Sequence, residues 1–161
     1  MLALVLWLLF SGVPLPEQPP IAGRIDHIMV DKSLRMMVLY QDGRPVRIYR
    51  VALGFAPAGA KLMQGDGRTP EGRFRIDRRN DGSAFHLSLG IDYPRPEHRA
   101  AARALGKSAG GDIFFHGQPN AIPAGYRMRG DWTAGCIALS NAQIEELWRV
   151  TPVGTSVEIR P

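Results

Sequence analysis

From Arg24 onward, apolar and polar residues alternate with a period of two in short runs, and clusters of turn residues separate those runs. Alternation of this kind puts one face of an extended segment in a core and the other in water, so it selects strands and argues against a helical bundle. Residues 25–30, 36–40 and 46–51 read as three strands, and Gln41-Asp42-Gly43-Arg44 is a hairpin turn joining the last two into a meander. Residues 73–77 and 85–91 resume the pattern after the glycine-rich loop Gly65-Asp66-Gly67-Arg68-Thr69-Pro70-Glu71-Gly72, and residues 155–159 close the chain as a strand. That loop lacks the Lys-Ser/Thr ending of a phosphate-binding loop and no helical run follows it, so it reads as a structured turn.

Two helical stretches come late. Residues 97–105 are alanine-rich with several charges, and Ser140-Asn141-Ala142-Gln143 spells a capping box opening a helix whose Ile144, Leu147 and Trp148 share one face. The expected fold class is therefore mainly β with a few helices, in a single domain. A chain of 161 residues is long enough to bury a core without disulfides. The formal charge of +5 comes from Lys and Arg scattered singly, which does not form the contiguous basic face of a nucleic-acid binder, and no nucleic-acid partner is expected.

The first ten residues are almost wholly apolar, and the run breaks at Ser11-Gly12-Val13-Pro14. It is too short for a stable membrane span, which needs about 20 apolar residues, and its length suits the apolar region of an export signal. No Lys or Arg precedes it, no Ala-x-Ala site follows, and no cysteine follows to accept a lipid. Residues 15–22, rich in proline, read as a tether, which divides the chain into a signal-like segment with tether over 1–22 and one domain over 23–161. An apolar arm packed on the domain is the alternative. The expected location is the periplasm or cell envelope.

Cys136 is the only cysteine, so it has no disulfide partner within the chain. Taken singly it would pass for a buried core thiol. Its setting argues otherwise: Trp132-Thr133-Ala134-Gly135-Cys136 places it after a glycine, and Gly110-Gly111-Asp112-Ile113-Phe114-Phe115-His116-Gly117 reads as a buried strand delivering a histidine at its tip. A thiol near pKa 8.5 needs a base or cationic neighbour to become an effective nucleophile, and His116 is the candidate. A backbone carbonyl, that of Gly117 or a nearby residue, is expected to hold the other ring nitrogen, with Asp131 as the alternative holder, though five residues before the thiol it better suits bracing the loop. The N–H groups of Gly135 and Cys136 are expected to form an oxyanion hole, with Thr133 and Trp132 beside them. Of the other histidines, His86 is expected to line a cleft, and His27 and His98 to face solvent. The residues offer no zinc ligand set, and neither metal nor cofactor is expected.

These segments resemble the L,D-transpeptidase catalytic domains of bacterial peptidoglycan metabolism. Thr69-Pro70-Glu71-Gly72, then His116-Gly117, then Gly135-Cys136-Ile137-Ala138-Leu139 carry the resemblance in that order and spacing. It implies a mixed β-sandwich-like fold, a cysteine nucleophile at Cys136, an acid/base at His116 and the Gly117 carbonyl as its orienter. It also implies peptidoglycan stem peptides as donors, with attack at the third residue, release of terminal D-alanine, and transfer from the thioester to the amine of another stem or an envelope protein's lysine. With water as acceptor the same site would be a carboxypeptidase or endopeptidase, and with an inert Cys136 the domain would be a non-catalytic wall-binding module. Two positions depart from the common pattern: Ala134 and Ala138 stand where many members carry polar side chains. A papain-like peptidase is disfavoured, since there the cysteine precedes the histidine.

Overall fold

The computed structural model describes residues 18–161; the apolar run of residues 1–10 lies outside them. The described residues form eight strands and two helices: β1 (His27–Asp31), β2 (Met36–Gln41), β3 (Arg44–Arg50), β4 (Gly72–Asn80), β5 (Ser88–Ile91), α1 (Pro96–Ala104), β6 (Phe114–His116), β7 (Ile137–Ala138), α2 (Asn141–Val150) and β8 (Ser156–Arg160). None of these helices is long and apolar enough to cross a membrane.

The strands form one mixed sheet in the order β3-β2-β1-β8-β4-β5-β6-β7. The β2–β3 hairpin turns where the alternation places it, with Asp42 at φ 49° and Gly43 at φ 73°, the pair of left-handed residues that matches the twist of a two-residue hairpin. On β1, Ile28 and Val30 are fully buried while their neighbours face outward. Strand β4 serves two partners: its first half pairs with β8, its second half with β5, and a register shift lies between Ile76 and Arg78. That irregularity folds the sheet into two leaves, because a bulge bends its strand and sharpens the local twist. The mainly β single domain is as the alternation indicates, and its sandwich is one continuous sheet curled over.

The curl closes through the chain that leaves β3. Ala52 exchanges both backbone hydrogen bonds with Ala138 (2.9 and 2.8 Å), and Gly54 bridges to Thr133. The edge of β7 is thereby covered. One large core lies inside, with Leu53, Ile76, Leu89, Phe115 and Leu139 among its fully buried members. Helix α2 packs Ile144, Leu147 and Val150 onto it. Its capping box is formed as the sequence indicates: Ser140 Oγ accepts from the Gln143 N–H (3.2 Å) and Gln143 Oε1 accepts from the Ser140 N–H (3.0 Å). Trp148 is only partly buried, with the Arg79 guanidinium 4.0 Å above its ring.

Four local readings need correction. The strand expected over residues 85–91 begins at Ser88, because His86 adopts φ 71° and turns the chain before it. His98 does not face solvent: its ring stacks on Phe74 at 5.8 Å, lies 4.8 Å from Tyr93, and its Nδ1 accepts from the Arg95 N–H. His27 is half-buried, 5.6 Å from the Tyr40 ring. Residues 18–21, read as tether, lie against the domain, where Ile21 is buried, its N–H donates to Glu146 (3.3 Å) and Gln18 accepts from Arg47.

Candidate active site

Strands β6 and β7 run parallel with Phe115 opposite Ile137 and His116 opposite Ala138. Continuing the register by one residue sets Cys136 beside Phe114, and the Phe114 N–H donates to Cys136 Sγ at 3.4 Å. Cys136 and His116 therefore sit on one face of neighbouring strands, as diagonal neighbours. The thiol is half-buried and opens into a cleft of about 500 Å³ whose lining includes Lys61, Asp112, Ile113 and Ala134. Its proton is directed at the Asp112 carbonyl (3.3 Å).

The imidazole is held differently. His116 is 3 % exposed, and its Nδ1 lies 2.7 Å from the Gly117 carbonyl. A carbonyl only accepts, so Nδ1 carries the proton and the neutral ring presents a bare Nε2 lone pair. Phe85 (4.5 Å between ring centroids) and Trp132 (5.6 Å) wall the ring. Burial pushes His116 below the ordinary histidine range, against the opposing pull of the Gly117 carbonyl. Burial likewise pushes the Cys136 thiol up, and the nearby Asp112 carboxylate adds to this while the Phe114 N–H works the other way. The resting pair is thus a neutral thiol and a neutral imidazole. No hydrogen bond joins sulfur and ring among the described residues; each is held by the backbone.

The glycine-rich loop is a turn, as its sequence indicates, built around Asp66. The carboxylate accepts from the N–H groups of Leu62, Met63 and Arg68 and pairs with Lys61 Nζ at 2.8 Å. Burial alone would raise its pKa, but Lys61 and the three amides together hold it at about 2. Lys32, 3 % exposed, ties down the next stretch by donating to the Gly59 and Thr69 carbonyls and to Glu71. Fixed in this way, the loop backs the nucleophile: a Cβ on Gly135 would lie 2.8 Å from the Arg68 carbonyl, and one on Gly54 would lie 2.1 Å from the Gly67 carbonyl. Gly135 adopts φ 141°, open to glycine but not to other residues.

Of the two N–H groups expected to form an oxyanion hole, that of Gly135 is already engaged. The Gly135 N–H donates to Thr133 Oγ1 (3.1 Å), and the same hydroxyl donates to the Cys136 carbonyl (2.7 Å). Thr133 therefore clamps the turn that carries the sulfur, and Gly135 has no N–H left for a substrate. The Cys136 N–H donates to no group among the described residues. Trp132 lies against His116 as described, and its buried indole N–H has no hydrogen-bond partner among the described residues. His86 points elsewhere: its Nε2 meets Glu145 of α2 at 2.7 Å, and its neighbour Phe85 takes the place beside the catalytic candidates. Asp131 braces the loop, accepting from the Leu53 N–H (3.0 Å) and pairing with Arg35 (2.8 Å). No local sequence signal marks Phe85 or Arg35, because both reach the site through tertiary register.

The sequence model of the YkuD family, the L,D-transpeptidase catalytic domain, matches residues 25–159. The chain belongs to that family. It is 26% identical over 150 residues to the Bacillus subtilis protein named "Putative L,D-transpeptidase YqjB", covering 91% of this chain and 73% of the relative. Among solved structures it is similar to the helical cell shape determining protein Pgp2 from Campylobacter jejuni, with TM-score 0.65, 26% identity, and coverage of 86% of this chain and 48% of that one. An L,D-transpeptidase from Xylanimonas cellulosilytica shares the fold at TM-score 0.55 and 21% identity, covering 96% of this chain and 68% of that one. The chain spans about half the length of Pgp2. An L,D-transpeptidase-type function connected with peptidoglycan follows from the family.

Proposed function

We propose that the domain is a cysteine acyltransferase acting on peptidoglycan stem peptides, with Cys136 as nucleophile and His116 as acid and base. The observation that carries this reading is the shared face of β6 and β7, where a half-exposed thiol opens on a cleft and an imidazole is locked by Gly117 with Nε2 bare. As a donor peptide fills the cleft, the thiol proton passes from its Asp112 contact to His116 Nε2. Sulfur then attacks the carbonyl of the third stem residue, and the developing oxyanion takes the Cys136 N–H. His116 returns the proton to the departing amine of D-alanine, leaving a thioester. An incoming amine reverses the sequence: it loses a proton to His116, attacks the thioester and frees the thiol. A pair that starts neutral suits this role, since proton transfer accompanies attack and no standing thiolate is left to oxidise.

An extracytoplasmic location is part of the proposal and rests on the apolar run of residues 1–10. The test is incubation of the full chain with a disaccharide tetrapeptide and a D-amino acid amine. The expected result is release of D-alanine and an exchanged product, with a thioester at Cys136 in the intact mass and neither in Cys136→Ala. Product shortened without exchange would make the enzyme a hydrolase. No adduct and no turnover would remove the catalytic reading.

A further inference from the structure

A second recess of about 610 Å³ lies beside the site, lined by Arg35, Arg50, Ala52, Arg127 and Asp131 among others. Asp131 is the only acidic residue in that lining, and it is already committed to Arg35 and to the Leu53 N–H. The Arg127 guanidinium donates to the Arg50 carbonyl at 2.8 Å, and it forms no ion pair with a carboxylate among the described residues. Arg127 is exposed at the mouth of the recess, and partial desolvation there, reinforced by the charge of Arg50, pushes it below the ordinary arginine range. Arginine keeps its proton regardless, so the crowding of cationic groups is an unfavourable interaction that an anion in the recess would relieve.

The recess has a defined relation to the acid/base. Ala52 lines it, Ala52 is the direct neighbour of Ala138, and Ala138 is the direct neighbour of His116. The three side chains share one face of the sheet in a row, with about 10 Å, two strand spacings, from first to last. Along that row the side chains of Ala138 and Ala52 lie between the imidazole and the recess. The acyl cleft lies on the other side of the nucleophile turn: Ala134 and Cys136 line the cleft, Gly130 and Asp131 line the recess, and the chain joins them through Trp132 and Thr133.

We infer that the arginine recess binds the carboxylate of the amine component of the reaction, with Arg127 as its principal ligand. This rests on the acyl-transfer reading above. His116 must meet the amine nitrogen both on departure and on arrival, so the amine component lies on the His116 side, and a carboxylate attached to it extends toward the guanidinium groups. Two substrates can present that carboxylate: the terminal D-alanine being expelled, and an amino acid or peptide arriving as acceptor.

The experiment compares four substrate arms on the full chain: a tetrapeptide donor as its free acid and as its C-terminal amide, and D-alanine against D-alaninamide as acceptors. Wild type is expected to prefer the acid by about tenfold to a hundredfold, the range of one charge-assisted contact, in the donor arm, the acceptor arm or both. The arm that shows the preference identifies the source. Arg127→Ala should reduce the preference to about twofold or less and Arg127→Lys should keep part of it. As a readout independent of turnover, D-alanine added to Cys136→Ala protein should shift the backbone amide resonances of Ala52 and Gly130, and D-alaninamide should not. A thioester at Cys136 with no acid preference in either arm, or a preference indifferent to Arg127→Ala, would overturn the recess alone. Absence of any thioester in wild type would overturn the acyl-transfer reading first.

Discussion

Replacing Thr133 with valine keeps the shape of the side chain and deletes its hydroxyl, which tests the clamp on the nucleophile turn directly. The hydroxyl accepts from the buried Gly135 N–H at 3.1 Å and donates to the Cys136 carbonyl at 2.7 Å, and Thr133 is 5 % exposed. Valine would leave both backbone groups without that partner, the Gly135 N–H in a buried place and the Cys136 carbonyl in a part-buried one. A buried polar group left unsatisfied costs about 1–3 kcal/mol. The carbonyl is only part-buried and lies at the low end, so the pair together should cost about 2–4 kcal/mol, a large share of the ~5–15 kcal/mol that holds a domain together. Thr133→Ser retains the hydroxyl and loses one methyl, for about 1 kcal/mol. Urea unfolding followed by tryptophan fluorescence measures both. Valine should lower the midpoint severalfold more than serine at unchanged slope, and it should slow thiol acylation because the turn no longer fixes the sulfur. A valine variant within ~0.5 kcal/mol of wild type would refute the clamp.

Gly54→Ala should cost about 3 kcal/mol or more, because its Cβ would lie 2.1 Å from the Gly67 carbonyl and backbone must move; Gly43→Ala, at φ 73° with nothing within 4 Å, should cost only ~1 kcal/mol in the same thermal melts. Asp66 is held at about 2 in the fold against an ordinary 3.8, so its ionised form stabilises the protein above pH ~4 and that contribution fades as pH falls toward 2; Asp66→Asn should therefore be less stable by about 2 kcal/mol at pH 7 and converge with wild type near pH 2. The neutral Cys136–His116 pair predicts that iodoacetamide alkylation of Cys136 keeps climbing with pH beyond ~9, and a rate plateau reaching below pH 7 would show a standing ion pair instead. His116 is depressed by burial, so the unfolded chain takes up a proton that the fold refuses: its contribution to stability is present above ~6.5 and lost as pH falls below that, and His116→Asn should flatten this part of the profile in pH-dependent urea melts.

Local chemistry was legible wherever the chain decides matters within a few residues. The Asp42-Gly43 turn, the Ser140/Gln143 capping box and the extended runs of β1, β2 and β8 all follow from neighbours in sequence. So did Cys136 and His116, through their glycines and their position at strand tips. What escaped depends on which strands meet. Gly135 reads as a free oxyanion donor until Thr133 folds back to take its N–H. His86 and Phe85 are adjacent, and only the left-handed turn at His86 decides that the phenyl ring reaches His116 while the imidazole goes to Glu145. The arginine recess gathers Arg35, Arg50 and Arg127 from well-separated parts of the chain, and single basic residues spread along a sequence carry no sign of such a meeting.

The seam between Ala52 and Ala138 ties together the two ends of the strand order, which arise in opposite halves of the chain. A contact of that kind forms late, since much of the polypeptide must already be in place before it repays the entropy of closing so large a loop. Until it forms, the sulfur sits on an unfinished margin with neither its cleft nor its recess assembled. Acyl transfer as proposed is thereby conditional on completion of the fold, because before then neither the cleft nor the locked His116 ring stands beside the sulfur.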